Sequence, residues 1–338
     1  MGRSRARAVR RTATVCLALA VALVAVAAYT LATGDYPLPL EEVLRILGGA
    51  GRRAQRYVVT QVRLPRVLTA TLVGLALGAA GALFQSLARN PLGSPDVIGF
   101  TVGSATGALV AILVIGAGPA AVAGGSVAGG ALTAAVVYLL AWNGGVRGYR
   151  LVLVGIGVSA LLASFNAYLL AKASFGDAQS AAVWLTGSLN GRGWEHVRPL
   201  LVVLVVSLPV ATGLGRPLRA LELGEDVATG LGVPLERVRA CVMVTGVVLT
   251  ASATAAAGPV AFVALAAPQV ARRLTRSAGP GVTASALTGA VMLTVSDLAA
   301  QRLLAPTQLP VGVLTGVAGG CYLIWLLARQ WRTERTGR

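Results

Sequence analysis

The sequence predicts an all-α polytopic membrane protein with about ten transmembrane helices in one domain, and three observations carry that reading. Of 338 residues, 56% are hydrophobic and only 12% are charged, with a mean hydropathy of +0.75, too apolar for a soluble domain of this length. Apolar runs approaching the roughly 20 residues needed to cross about 30 Å of hydrocarbon recur along the chain. The arginines lie between those runs and not in one basic domain with interleaved aromatics, so the net charge of +17 reads as loop charge and not as a nucleic-acid surface.

Taken in order, Arg3, Arg5, Arg7, Arg10 and Arg11 precede an apolar run over residues 13–33. That run exceeds the apolar region of a signal peptide, about 7 to 15 residues, so residues 1–12 are expected in the cytoplasm ahead of a first span. Residues 34–61 are expected to form an outer loop. Within it Leu40, Val43, Leu44 and Leu47 stand at helical spacing, which marks a short helix at the interface.

The stretch from Arg63 to Gly107 reads as a helix hairpin of two full spans joined by the polar, proline-bounded turn from Arg89 to Asp96. Gly74, Gly78 and Gly81 fall near one side of its first helix, and Gly99, Gly103 and Gly107 recur every fourth position in the second, spacings that let neighbouring backbones approach. In the turn, Asn90 can bond backbone while Pro91 and Pro95 restrict the chain.

Later spans are expected over residues 119–142, 151–171, 197–214, 240–257, 259–274, 282–303 and 311–328, with 174–193 a polar outer loop. The turn after the fourth span carries Arg147 and Arg150. Residues 215–239 read as a cytoplasmic loop of short helices broken at Pro217, Gly224, Gly230, Gly232 and Pro234, and 329–338 as a cytoplasmic tail. Ten spans put both termini on one side. Roughly two thirds of the 29 lysines and arginines then fall on the inner side, the bias expected for cytoplasmic termini.

Several kinds of chemistry are not indicated. Cys16, Cys241 and Cys321 fall in predicted spans with no close pair, and His196 is the single histidine, so neither a disulfide framework nor a metal site is expected. No phosphate-binding G-x-x-x-x-G-K-[ST] sequence occurs, so an energy source must come from another polypeptide. No nucleophile and base stand together as an intramembrane enzyme would need. Asp297 lies inside the ninth span, where a carboxylate must face protein or water. Arg63, Arg66 and Arg302 sit at outer helix ends, which the positive-inside tendency disfavours; they are either lipid-headgroup anchors or partners for something acidic outside.

RLPR at Arg63, RNPLGSPDVIG at Arg89 to Gly99, WLTGSLNG at Trp184 to Gly191, LGEDVATGLGV at Leu223 to Val233, GPVAFVALAAPQVARRLT at Gly258 to Thr275 and LPVGVLTGVAGG at Leu309 to Gly320 together resemble the FecCD/BtuC-like permeases. These are the membrane subunits of type II ABC importers for iron-siderophores and cobalamin, and the likeness runs through almost the whole chain. It implies that fold, a multi-pass location in a bacterial plasma membrane, and uptake of a chelate by alternating access. It also implies a second permease subunit, identical or paralogous, two ATP-binding subunits that carry the ATP and Mg, and an extracytoplasmic siderophore-binding protein. No cofactor is expected in this chain.

The resemblance assigns roles to residues. Arg63, Arg66 and Arg302 match positions that receive acidic side chains of the binding protein. Glu222, Gly224, Asp226, Gly230, Leu231, Gly232 and Val233 match the short helices seated in the ATP-binding subunit. Gln269 stands where many relatives have histidine and siderophore importers often read APQ, which leans the cargo towards a ferric siderophore, with cobalamin or haem left open. Gln85, Ser159, Ser164, Asn166 and Tyr168 are small or polar candidates for lining a path between subunits. An ion-coupled secondary transporter, with interrupted repeats around a midplane site, is the alternative from another class.

Overall fold

The computed structural model describes residues 2–336 apart from Asp35, 143–147, Ala278 and Pro306; the side chains of 2–6, Ala8 and 326–336 are also outside the described set. Arg147, the side chains of Arg3 and Arg5, and the expected tail over 329–338 therefore lie outside the described side chains.

The described chain is helical throughout. It begins with α1 (Gly2–Ala32), α2 (Leu40–Leu47) and α3 (Arg53–Tyr57), and a π-helical turn (Val58–Arg63) runs straight into α4 (Leu64–Ala88). Beyond the turn come α5 (Pro95–Ile98), α6 (Phe100–Leu113), α7 (Pro119–Ala141), α8 (Gly148–Lys172), α9 (Phe175–Leu185) and α10 (Trp194–Gly213). The last six are α11 (Gly215–Glu222), α12 (Glu225–Gly230), α13 (Leu235–Ala257), α14 (Val263–Thr275), α15 (Val282–Arg302) and α16 (Val311–Thr336).

All ten positions expected to span are helical, but they differ in reach. Seven helices among the described residues are long and apolar enough to cross a membrane. The second arm of the hairpin is not one of them. Gly99, at φ 97°, separates α5 from α6, and the 14 residues of α6 reach only about 21 Å at about 1.5 Å per residue, short of the expected full span. Three further boundaries differ. Residues 175–185 of the expected outer loop form α9, because an apolar stretch with Ser174 accepting from the Asp177 N–H favours a capped helix. The seventh span begins at Leu235, five residues earlier than expected, and the eighth begins at Val263, after an irregular stretch over 258–262.

α4 is the centre of the bundle, buried almost continuously from Pro65 to Leu87. Lipid is as apolar as leucine, so helices in a membrane associate through close packing of small residues. At Gly74 and Gly78, an added Cβ would collide with the backbone of Gly289 and Ser285 on α15; the glycine spacing read from the sequence is what lets these two helices touch. α6 and α7 meet in the same way through Gly107 and Gly125. Where room exists it is filled by larger groups: the Phe84 and Phe100 rings lie 5.2 Å apart at the core.

Three of the quoted motifs converge at one end. The Ser188 N–H donates to the Ala257 carbonyl at 2.8 Å, and the Gly312 N–H donates to the Gly187 carbonyl at 3.0 Å. That end also carries 34–63 and 302–311. The opposite end carries the turn at 89–95, the segment 214–235 and the connection after α14, where Arg11 Nε donates to the Leu274 carbonyl at 3.0 Å.

Candidate functional site

Two surfaces at opposite ends of the bundle hold the residues of interest. At the end that carries 34–63 and 302–311, Tyr36, Arg63, Arg66, Gln301, Arg302 and Gln308 line a cleft of about 260 Å³. Tertiary packing thus gathers the three arginines that sequence marks separately. Their states differ. Arg63 spans two backbone carbonyls, with Nη1 donating to Leu31 at 2.8 Å and Nη2 to Tyr36 at 2.6 Å. Arg66 grips Asp297 through Nε at 3.0 Å and Nη2 at 2.9 Å, and its Nη1 donates to Gln308 Oε1 at 2.7 Å. Arg302 stands exposed on the rim.

Arg66 is therefore not an outward-facing cation, as expected from its place at a helix end, but one half of an ion pair inside the cleft. The expectation that Asp297 faces protein is met by the same contact; its side chain is only 2% exposed, and Gln301 Nε2 also donates to its Oδ2 at 2.8 Å. The π-helical turn ends on Arg63. A wider turn leaves carbonyls without the usual helical donor, and Trp194 Nε1 supplies one to Thr60 at 2.9 Å. No sequence signal marked this turn.

At the opposite end, Asn90 Oδ1 accepts from the Leu92 N–H at 2.9 Å, the backbone bond expected of it. Pro95 opens α5 at its first turn, and Ser94 Oγ accepts from the Val97 N–H, a cap that the sequence reading passed over. The Pro91 carbonyl accepts from Gln269 Nε2 at 3.0 Å, so Gln269 fixes the turn from α14.

Packed beside this turn is the segment from Leu223 to Val233. Leu223, Val227 and Leu231, four residues apart, are exposed at 68%, 47% and 66%, an apolar ridge along α12 and its flanks. Asp226 is exposed beside it, and Ala228 beneath is buried. Gly224 and Gly232 hold φ at 119° and 78°, a region that costs other residues strain. Gly230 does not share that geometry and has open space around it, so glycine is not required there.

Four ion pairs and hydrogen bonds tie this segment and the preceding Glu222 to the bundle. Ser86 Oγ donates to Glu222 Oε1 at 2.8 Å, Arg272 approaches Glu222 at 3.7 Å, and Arg89 and Arg239 both reach Glu225, at 2.8 Å and 2.7 Å. Glu225 was not among the residues singled out from sequence.

The residues chosen for a path do not come together. Gln85 is buried in the core with Nε2 donating to the Leu265 carbonyl at 2.9 Å, and Asn166 is buried. Ser159 bonds the Gly155 carbonyl of its own helix at 2.7 Å and packs against Gly99. Only Ser164 and Tyr168 lie exposed together on α8, with Leu161 and Phe165.

Comparison with known proteins fits this geometry. The sequence model of the FecCD transport family matches residues 17–329. The chain is 47% identical to the ferric enterobactin transport system permease protein FepG of Escherichia coli K12, over 96% of this chain and 98% of that one. It is 37% identical to the achromobactin transport system permease protein CbrC of Dickeya dadantii, over 94% and 91%. Among solved structures, a chain described as an inward-facing metal-chelate type ABC transporter superposes with a TM-score of 0.84 at 28% identity, covering 94% of this chain and 99% of that one. With the family model matching residues 17–329 and a relative 47% identical along nearly the whole chain, this chain belongs to the FecCD transport family.

Proposed function

We propose that this chain is the membrane-spanning permease subunit of an ABC importer that carries a ferric siderophore into the cytoplasm of a bacterium, with both termini cytoplasmic. The observation that carries the reading is the apolar ridge of Leu223, Val227 and Leu231, exposed on a short helix flanked by Gly224 and Gly232. An apolar helix face left outside the bundle needs a groove to cover it. A chain without a phosphate-binding loop needs a nucleotidase, and one partner meets both needs. The siderophore assignment rests on the likeness to permeases for ferric enterobactin and achromobactin.

The assembly we propose has two permease subunits, identical or paralogous, two ATP-binding subunits on the ridge and an extracytoplasmic binding protein over the cleft of Arg63, Arg66 and Arg302. The seam between permeases falls on the exposed face of α8, where Ser164 and Tyr168 give polar groups to an otherwise apolar helix. Alternating access then moves the chelate along that seam, while the chelator and not the protein holds the iron.

The test is reconstitution of the chain in proteoliposomes with its ATP-binding subunit and binding protein, followed by uptake of iron-55 as ferric enterobactin, ferric citrate or ferric achromobactin. Uptake of one of these that needs ATP inside is expected. Uptake that persists without the nucleotidase and follows an ion gradient would instead support a secondary transporter.

A further inference from the structure

Glu225 lies where three elements meet. A single oxygen, Oε1, is approached by Nη2 of Arg89 at 2.8 Å and by Nη2 of Arg239 at 2.7 Å. Arg89 caps the C-terminus of α4, and Arg239 sits in the second turn of α13. Exposed ion pairs contribute little, but the Arg239 side chain is only 6% exposed and also bonds Glu236 at 2.6 Å. An arginine does not lose its charge in a protein, so a buried one depends on its carboxylates.

The backbone at Arg89 points to the same contact. Its φ is 49° and ψ 33°, a left-handed conformation that strains a residue with a Cβ and that glycine adopts freely at a helix C-cap. What glycine would lack is the side chain, and that side chain ends on Glu225.

We infer that Glu225 is a positioning residue, tying α12 to the inner ends of α4 and α13 so that a shift of the exposed ridge is passed to both helices. The inference rests on the importer reading for its purpose but not for its geometry. Gly224 and Gly232 stand at either end of α12 at positive φ, so neither connection is stiffened by a side chain. Without the two guanidinium contacts, α12 would be held only by the burial of Ala228 and by the contacts of Glu222 just before it. With them, displacement of the ridge pulls on α4, the helix at the centre of the bundle, and on α13 beside it.

Two readouts test this. A spin label at Leu231→Cys, in a chain whose three cysteines are alanine, reports the mobility of α12 in the permease alone. Arg89→Gly and Glu225→Gln should each sharpen its spectrum, and Arg89→Gly should do so without lowering the melting temperature, because the turn gains a residue suited to its backbone. In the full complex, ATP hydrolysis should continue in both variants while iron-55 uptake per ATP falls at least about fivefold, the low end of typical coupling energies. The double variant should be no worse than the worse single one. Unchanged spectra in both variants would overturn the tether, and an unchanged uptake-to-hydrolysis ratio would overturn its role in coupling. Wild-type chain that hydrolyses ATP without uptake would count against the importer reading, leaving the tether to be judged on mobility.

Discussion

Arg66 and Asp297, 231 residues apart in sequence, form a two-pronged ion pair with contacts of 2.9 Å and 3.0 Å that fastens the N-terminal end of α4 to α15. These two helices also meet through Gly74 and Gly78, where an added Cβ would strike the backbone of α15, so one end of the contact is electrostatic and the middle is steric. Removing one partner leaves a buried charge, which typically costs about 3–5 kcal/mol. Asp297→Ala should therefore lower the thermal midpoint in detergent markedly, whereas Arg66→Met with Asp297→Leu should recover most of the loss. Equal melting of the single and double variants would show that the charges are not coupled.

The state of each arginine of the cleft separates docking from folding. Arg302→Glu should weaken association with the binding protein and leave melting near wild type, because Arg302 is exposed on the rim. Arg66→Glu should first destabilise the chain, since it faces Asp297. Measured in nanodiscs across a salt series, the Arg302 effect should fade as the Debye length drops to about 3 Å at 1 M. Arg302→Glu binding like wild type at low salt would make this residue a lipid anchor.

On the inner segment, Gly232→Val should uncouple, and Gly230→Ala should not. The former forces a β-branched residue to φ 78°, while the latter adds a methyl group to open space at the end of α12 and favours helix by about 1 kcal/mol. ATPase stimulation by loaded binding protein, in vesicles containing the whole complex, distinguishes them. Full stimulation with Gly232→Val would remove the strained turn from the mechanism.

Asn90→Leu deletes the side-chain acceptor for the Leu92 N–H, a contribution of about 1 kcal/mol, at a turn also held by Gln269. Iron uptake should fall more than binding-protein association does. Parallel losses of the two would point to general misfolding, and Asn90→Asp, which keeps the acceptor, should retain most uptake.

Hydrophobic run length determined the all-helical class and located the ten helical positions, because a bilayer demands long apolar segments whose backbone bonds stay within the helix. Glycine spacing at Gly74 and Gly78 announced close helix contacts for a similarly local reason: residues three and four apart share one helix face. The break at Gly99 and the helix over 175–185 escaped that reading, since a glycine is compatible with either continuation or interruption and an amphiphilic loop with either coil or a short helix. Only the tertiary structure could decide what each charge does. Arg63, Arg66 and Arg302 look alike in sequence, yet one bonds backbone, one is paired with Asp297 and one faces solvent, and Glu225 became important only when α4 and α13 brought Arg89 and Arg239 to the same oxygen. Hydropathy is a property of segments and can be read along the chain; an ion pair between residues 231 apart depends on which helices pack together, and that is fixed only when the bundle closes.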